Sequence, residues 1–304
     1  MNTPVRLGIF GLGLAAVFGA ALGAGHLAGP VGAAEKPHTA HGDDHAGMES
    51  GMDHDTMGHG GHGATGSAQP GGLLVSDKGY TLTTVPDATG AFAFRITRPD
   101  GRAVTALDTQ HDKRMHLIVV RRDLSGFRHV HPTMDTDGTW RVASPLSGPG
   151  AYRAFADFKP TGAGPLTLGI DTAVARNGTP RPLPAPATTV TVDGYTVTRK
   201  GTLVAGRGSR LDLTVSRDGR PVTDLQPYLA AYGHLVALRQ GDLAYLHIHP
   251  DGEPGDGKTT PGPTVTFHAE APSDGAYRLY LDFQHDGTVH TAEFTVVADA
   301  ATRH

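Results

Sequence analysis

The chain of 304 residues contains no cysteine. That absence excludes disulfides, thiolate metal sites, a cysteine nucleophile and a lipid-modified cysteine anchor, so any bound metal must use nitrogen, oxygen or methionine sulfur. Aromatic residues make up 6% with a single tryptophan, and the lysines and arginines are scattered. No aromatic-basic pattern exists for nucleic acid to recognise, and the formal net charge of -4 is ordinary. A Ser-His-Asp set, a phosphate loop and a glycine fingerprint are also missing from the sequence. Histidine is what the chain has in excess, at 18 residues.

At the N-terminus Arg6 precedes an apolar run from Leu7 to Ala24 and a small-residue stretch Val31-Gly32-Ala33-Ala34. This reads as an export signal over residues 1–34, either a cleaved signal peptide or a hydrophobic helix retained as a membrane anchor. Both place the remainder outside the cytoplasm. Residues 35–72 are low-complexity, with His38, His41, His45, Met48, Met52, His54, Met57, His59 and His62 among Gly, Asp and Ser. Their apolar content is too low to offset chain entropy, so a disordered tract is expected. Thioether suits Cu(I) and imidazole suits both copper oxidation states, which makes the tract a candidate copper-capturing arm; a plain spacer, or a zinc or nickel binder, is the alternative.

The strongest pattern is a repeated histidine triad. His116 is followed by His129 and His131, and His234 by His247 and His249, at the same spacing of 13 and 15 residues. Each run reads as a strand and each pair as a hairpin, with Arg121–Leu124 and Arg239–Asp242 as four-residue loops. Those loops predict His116 opposite His129 and His234 opposite His247, with the His-x-His step keeping the third imidazole on the same face. Pro132 and Pro250 then end the strands, which predicts a site at the rim of each domain. Three neutral imidazoles per hairpin could bind one copper ion each, and protons should displace it below about pH 6, since free imidazole has a pKa of about 6.5.

From Leu73 onward, short alternating runs closed by Gly, Pro or Asp give a sandwich rhythm. The two halves repeat each other beyond the triads. Gly150-Ala151-Tyr152-Arg153-Ala154-Phe155-Ala156-Asp157-Phe158 matches Gly275-Ala276-Tyr277-Arg278-Leu279-Tyr280-Leu281-Asp282-Phe283. Tyr152 and Tyr277 resemble the tyrosine corner of immunoglobulin-like sandwiches, where the hydroxyl bonds back to the backbone. The expected fold is all-β, with two tandem immunoglobulin-like β-sandwich domains at residues 73–175 and 190–298, joined by a proline-rich linker at 176–189. Asp157 and Asp282 are candidate fourth ligands, or else partners of Arg153 and Arg278 on the same strand face. His268, His285 and His290 occur only in the second copy and either widen its site or are exposed polar residues of loops and strands. The loop Asp251–Pro263, with seven extra residues in the second copy, is expected at the mouth of that site.

The motifs HLIVVRRDL with FxHVHP in the first half, and GRPVTDLxPYLxAxGHLVALRxGDLAYLHxHP in the second, resemble a family of uncharacterised exported actinobacterial two-domain proteins. Arg220-Pro221-Val222 leading to Gly233-His234 is similar to the YtkA-like immunoglobulin-type domain of bacterial envelope proteins. The resemblance implies export and metal handling rather than a reaction. The expected function is an exported or membrane-anchored metal-binding protein, with copper favoured over zinc or nickel. It would act in envelope metal capture, buffering or delivery, with an envelope metal transporter as its partner. A non-metal adhesion or scaffold module is the first alternative. A cupin-like metalloenzyme is the second, because Gly241, His247, His249 and Glu253 fit one of the two cupin motifs.

The tract yields a direct prediction. Deleting residues 35–72 should lower the number of copper ions bound while both β domains stay folded, as read by metal analysis and circular dichroism. An unchanged copper count would remove the tract from the ligand set.

Overall fold

The computed structural model describes residues 69–174 and 178–301, with the backbone alone for His247 and His249. The N-terminal hydrophobic helix, the nine His and Met positions of the tract and the start of the linker lie outside the described residues. All regular elements among the described residues are β-strands, and none is a helix that could cross a membrane.

The two halves use one topology. In the first, one sheet runs in the order Ser76–Asp77, Tyr80–Val85, Phe92–Thr97, Trp140–Val142, Thr133–Met134. The other runs Leu166–Val174, Gly150–Pro160, His116–Arg121, Arg128–Val130. The second half repeats this order as Thr189–Val192, Tyr195–Lys200, Gly208–Arg217, Thr264–Glu270, Tyr245–Pro250, His234–Arg239, Gly275–His285, Thr288–Ala298. There the two layers join into one continuous sheet, because Tyr245–Pro250 pairs with His234–Arg239 at one end and with Thr264–Glu270 at the other. In the first half the corresponding chain breaks after Val130, and a separate strand resumes at Thr133. The His-x-His-Pro segments therefore sit where the chain passes from one layer to the other.

Each half closes its own core. Phe94 and Ile96 pack with Leu117, Val119, Tyr152 and Ala154 in the first. Leu211, Leu213 and Phe267 pack with Leu235, Ala237, Tyr277 and Leu279 in the second. Because side chains alternate along a strand, the intervening residues point away from these cores. They meet in a third cluster, in which Ile118, Val120, Phe127 and Phe155 pack against Val236, Leu238, Tyr245 and Tyr280. The contacts are close to reciprocal. Phe127 stacks on Tyr280 with ring centroids 4.1 Å apart, and the equivalent Tyr245 lies 5.6 Å from Phe155. This is the arrangement of a two-fold dimer interface, made here within one chain.

The hairpin register differs from the expected one. Ile118 stands opposite His129 and Val236 opposite His247, so the pairing is shifted by two residues. The connections are longer than four residues, since the paired strands stop at Arg121 and Arg239 and resume at Arg128 and Tyr245. Asp123 accepts hydrogen bonds from the backbone and hydroxyl of Ser125 and Asp242 accepts one from the Ala244 backbone, while Leu124 and Leu243 take positive φ. A shift of two keeps the same residues on the same face. The gathering of the triad survives.

The folded unit also starts before residue 73. Arg153 donates to the carbonyls of Gly72, Leu73 and Gly169, the Gly72 amide bonds Thr167 O, and Gly71 bridges to Tyr245 of the second half. The cut that removes the tract therefore belongs before Gln69. Tyr152 and Tyr277 each donate to the carbonyl four residues upstream, Gly148 and Ser273, at 2.9 Å. The proline-rich linker is held down too. Arg181 N bonds Asp123, Leu183 packs on the interface cluster, and Ala187 N bonds Thr295 O.

Truncating Phe127 to Ala should cost about 3–5 kcal/mol, the usual range for a buried ring. Denaturant unfolding checks it. An unchanged midpoint would mean that the stacked pair contributes nothing to holding the halves together.

Candidate metal centre

Three nitrogens of the first triad converge. His116 Nδ1 lies 3.1 Å from His129 Nε2 and 3.3 Å from His131 Nε2, and ligand atoms from all three residues fall within 4.8 Å of one another. His116 is buried at 7% exposure, and the His129 side chain at 6%.

The outward nitrogens are engaged elsewhere. His116 Nε2 donates to Gln110 O at 2.9 Å, and His129 Nδ1 meets Asp282 Oδ2 of the second half at 2.9 Å. These partners set the tautomers, since a nitrogen that donates outward leaves the opposite nitrogen with its lone pair facing in. With both partners accepting, His116 Nδ1 and His129 Nε2 present lone pairs to each other. Two lone pairs at 3.1 Å repel unless a positive centre sits between or beside them. A metal ion, or a proton donated from His131 Nε2, would relieve that repulsion.

The carbonyl that orients His116 comes from a strained turn. Gln110 and Lys113 exchange backbone hydrogen bonds around His111 and Asp112, whose φ angles are 47° and 61°. The second half repeats it with Tyr228 and Ala231 around Leu229 and Ala230, at 53° and 59°. There His234 Nε2 bonds Tyr228 O at 2.7 Å. Such turns favour Gly and Asn, and each non-Gly residue held there costs about 1–3 kcal/mol. That both copies carry this strain, each time behind a triad histidine, ties it to the site.

His234 of the second triad does not lie at a rim apart from the first triad. His111, His116, His129 and His234 line one small cavity of about 40 Å³ between the halves, with Asp157, Tyr245 and Gln110. His234 lies 5.4 Å from His111 and 6.3 Å from His129 by ring centroid. His247 follows the same backbone register as His129, opposite Val236, and His249 stands opposite His268, while His131 falls between strands; the side chains of His247 and His249 lie outside the description.

Asp157 and Asp282 are used differently from a shared Arg pair. Positions four apart on a strand are about 13 Å apart. Arg153 accordingly bonds Asp171 and Arg278 bonds Glu293. Each aspartate instead accepts from a threonine of the adjacent strand, Thr167 or Thr291, and faces across the interface. Asp157 accepts from the Tyr245 hydroxyl at 3.2 Å, and Asp282 stands behind His129 rather than among the converging nitrogens. Burial, reinforced by the Asp157 charge, raises the Tyr245 phenol well above its ordinary value, so it stays a donor.

His285 and His290 belong to a different cluster. His285 bonds the Tyr195 hydroxyl at 2.7 Å and Asp224 at 3.1 Å, and His290 bonds Asp193 at 2.8 Å. Both are buried and bonded away from the triad, so they neither face solvent nor extend that site. His268 is exposed beside Asp251. Glu253 is exposed in the loop Asp251–Pro263, and no residue of that loop lines the cavity.

His111 was not legible as a site residue, because Leu229 takes its place in the second copy and no repeat marks it. The backbone carbonyls of Gln110 and Tyr228 leave no side-chain signature at all.

Burial is the largest cause that lowers His116 to about 4, His131 to about 3 and His234 to about 4, against an ordinary 6.5; neighbouring imidazoles push the same way. These rings are neutral at physiological pH, the form that binds metal. Acid competition at His116 and His131 thus begins lower than the pH 6 expected of free imidazole. Above about pH 6.5 the rings are neutral in both folded and unfolded chains. Between there and about pH 4 the unfolded chain binds protons that the folded chain refuses, so stability falls as pH falls, and the slope fades once the folded rings titrate. The metal-free protein should lose melting temperature from pH 7 to 4, and His131→Gln should flatten that loss. Identical slopes in the two proteins would remove His131 from the account.

No curated protein matches this chain. Among solved structures, a glycosyl hydrolase family 2 member from Bacteroides cellulosilyticus aligns with 76% of this chain at 11% identity and a TM-score of 0.19. The chain spans about a quarter of that protein, 24% of its length, and a likeness this weak carries no functional argument. The model of a domain of unknown function, DUF8832, matches residues 75–169 and 189–300, one segment in each half. The chain belongs to the DUF8832 family.

Proposed function

We propose that this is an exported or membrane-anchored metal-binding protein that captures, buffers or delivers copper in the cell envelope. The single observation that carries the reading is the convergence of His116 Nδ1, His129 Nε2 and His131 Nε2, with the far nitrogens of His116 and His129 held by a carbonyl and a carboxylate. Bound histidines characteristically have such outer partners. Copper is favoured over zinc or nickel because the chain has no thiolate, the folded donors are imidazoles, and the exported tract adds thioethers suited to Cu(I). The repeat of His234, His247 and His249 at the same spacing extends the reading to a second position in the second half. Delivery to an envelope metal transporter is the partner this implies.

One observation favours a second reading. His131 Nε2, 3.3 Å from His116 Nδ1, could donate its proton there and lock the cluster without metal.

Metal analysis separates the two. With the nine tract ligands replaced, the chain should bind copper through its folded halves, and His129→Asn with His131→Asn should remove the first position and spare the second. Unchanged copper stoichiometry in that double variant would return the triad to the proton-bridged reading. Preference for zinc or nickel would correct the metal alone.

A further inference from the structure

A hydrogen bond joins the first histidine triad to the opposite half, where His129 Nδ1 meets Asp282 Oδ2 at 2.9 Å. We infer that the metal position of the first half is controlled from the second: Asp282 is its positioning residue, and metal binding and docking of the halves are therefore linked. This rests on the metal-binding reading of the triad.

Asp282 stands directly opposite His234 in its own half, and Asp157 directly opposite His116. Each could have served its neighbour. Asp282 instead sends Oδ2 across the interface to His129 Nδ1, while Thr291 holds its Oδ1 at 2.6 Å. The carboxylate is thus fixed from behind, with one oxygen aimed at one imidazole. At 3% exposure it has no competing water surface.

His129 is the member of the triad that needs an outside anchor. His116 is oriented by Gln110 within its own half. The segment Arg128–Val130 is a three-residue edge strand, so the His129 backbone gives limited constraint, and the ring's direction is set by what its Nδ1 bonds. If the second half withdraws, His129 loses that partner and Nε2 is no longer held toward His116.

Linkage makes the relation reciprocal. If docking of the second half tightens metal binding by some factor, metal tightens docking by the same factor. Phe127 lies two residues before His129 and Tyr280 two before Asp282, so the stacked pair and the His-Asp pair run side by side across the boundary. Ordering one pair orders the other.

The test uses the full-length chain with the nine tract ligands replaced, and Zn(II) as a redox-silent probe. Affinity is measured by chelator competition, and the His129 ring by imidazole nitrogen NMR. Asp282→Asn keeps an acceptor but removes the charge, and should weaken zinc at His129 by 10–100-fold, the usual cost of losing an outer partner. The metal-free His129 ring should change from the Nδ1-protonated form to a mixture of tautomers, which a merely structural defect would not produce. Thr291→Val, a milder change that frees the back of the carboxylate, should weaken zinc several-fold and serves if Asp282→Asn does not fold. Zinc should in turn slow amide exchange at Tyr245 N, which bonds Gly71 O beside the interface. Wild-type affinity and tautomer in both variants, with binding abolished by His116→Asn, would overturn the cross-half control and leave the site standing. No effect of His116→Asn would overturn the metal reading and this inference with it.

Discussion

The meeting of two apolar sheet faces is the constraint on which the rest of this molecule depends. Ile118 and Val120 lie against Val236 and Leu238, so the two histidine-bearing strands are covered on both sides, by their own cores and by each other. Covering them buries the histidines at their entrances. Burial in turn keeps His116, His131 and His234 neutral, brings Asp282 to His129, and makes the outer hydrogen bonds to Gln110 O and Tyr228 O necessary, because a buried ring nitrogen without a partner is costly. Charge state, ring orientation and the small shared cavity all follow from that packing.

Much of this was legible in the sequence. The duplication, the all-β class, the tyrosine contacts of Tyr152 and Tyr277 and the gathering of His116, His129 and His131 on one face followed from spacing and pattern. The register did not, because loop length depended on Asp123 and Asp242 folding the chain back on itself. The shared cavity did not either, although a trace of it was present: Leu117-Ile118-Val119-Val120 and Leu235-Val236-Ala237-Leu238 are continuous apolar runs, and such runs mark strands covered on both faces. Which surface supplies the second cover is a tertiary fact. The partners of Arg153 and Asp157 were hidden for the same reason.

Duplication followed by divergence explains the asymmetries. The reciprocal pairs Phe127 with Tyr280 and Tyr245 with Phe155 keep the form of a two-fold interface, yet one copy offers a phenol to Asp157 and the other stacks its rings. His111 and Leu229 occupy equivalent strained turns, so one turn adds an imidazole to the cavity where the other carries a buried leucine. Fusing the copies into one chain is what permits such differences, since a true homodimer would have to carry each change twice.

The proline-rich linker carries one more consequence. Through Arg181 it is bonded at the tip of the first hairpin, and through Ala187 it is bonded to the last strand of the second half. A tether fastened at both ends keeps the two surfaces at a local concentration in the millimolar range or above, as short linkers do. The halves therefore need only modest intrinsic affinity to remain together. Parting the halves would strain the bonds of Arg181 and Ala187 along with the packed faces, so the linker adds its own resistance to opening whatever lies between them.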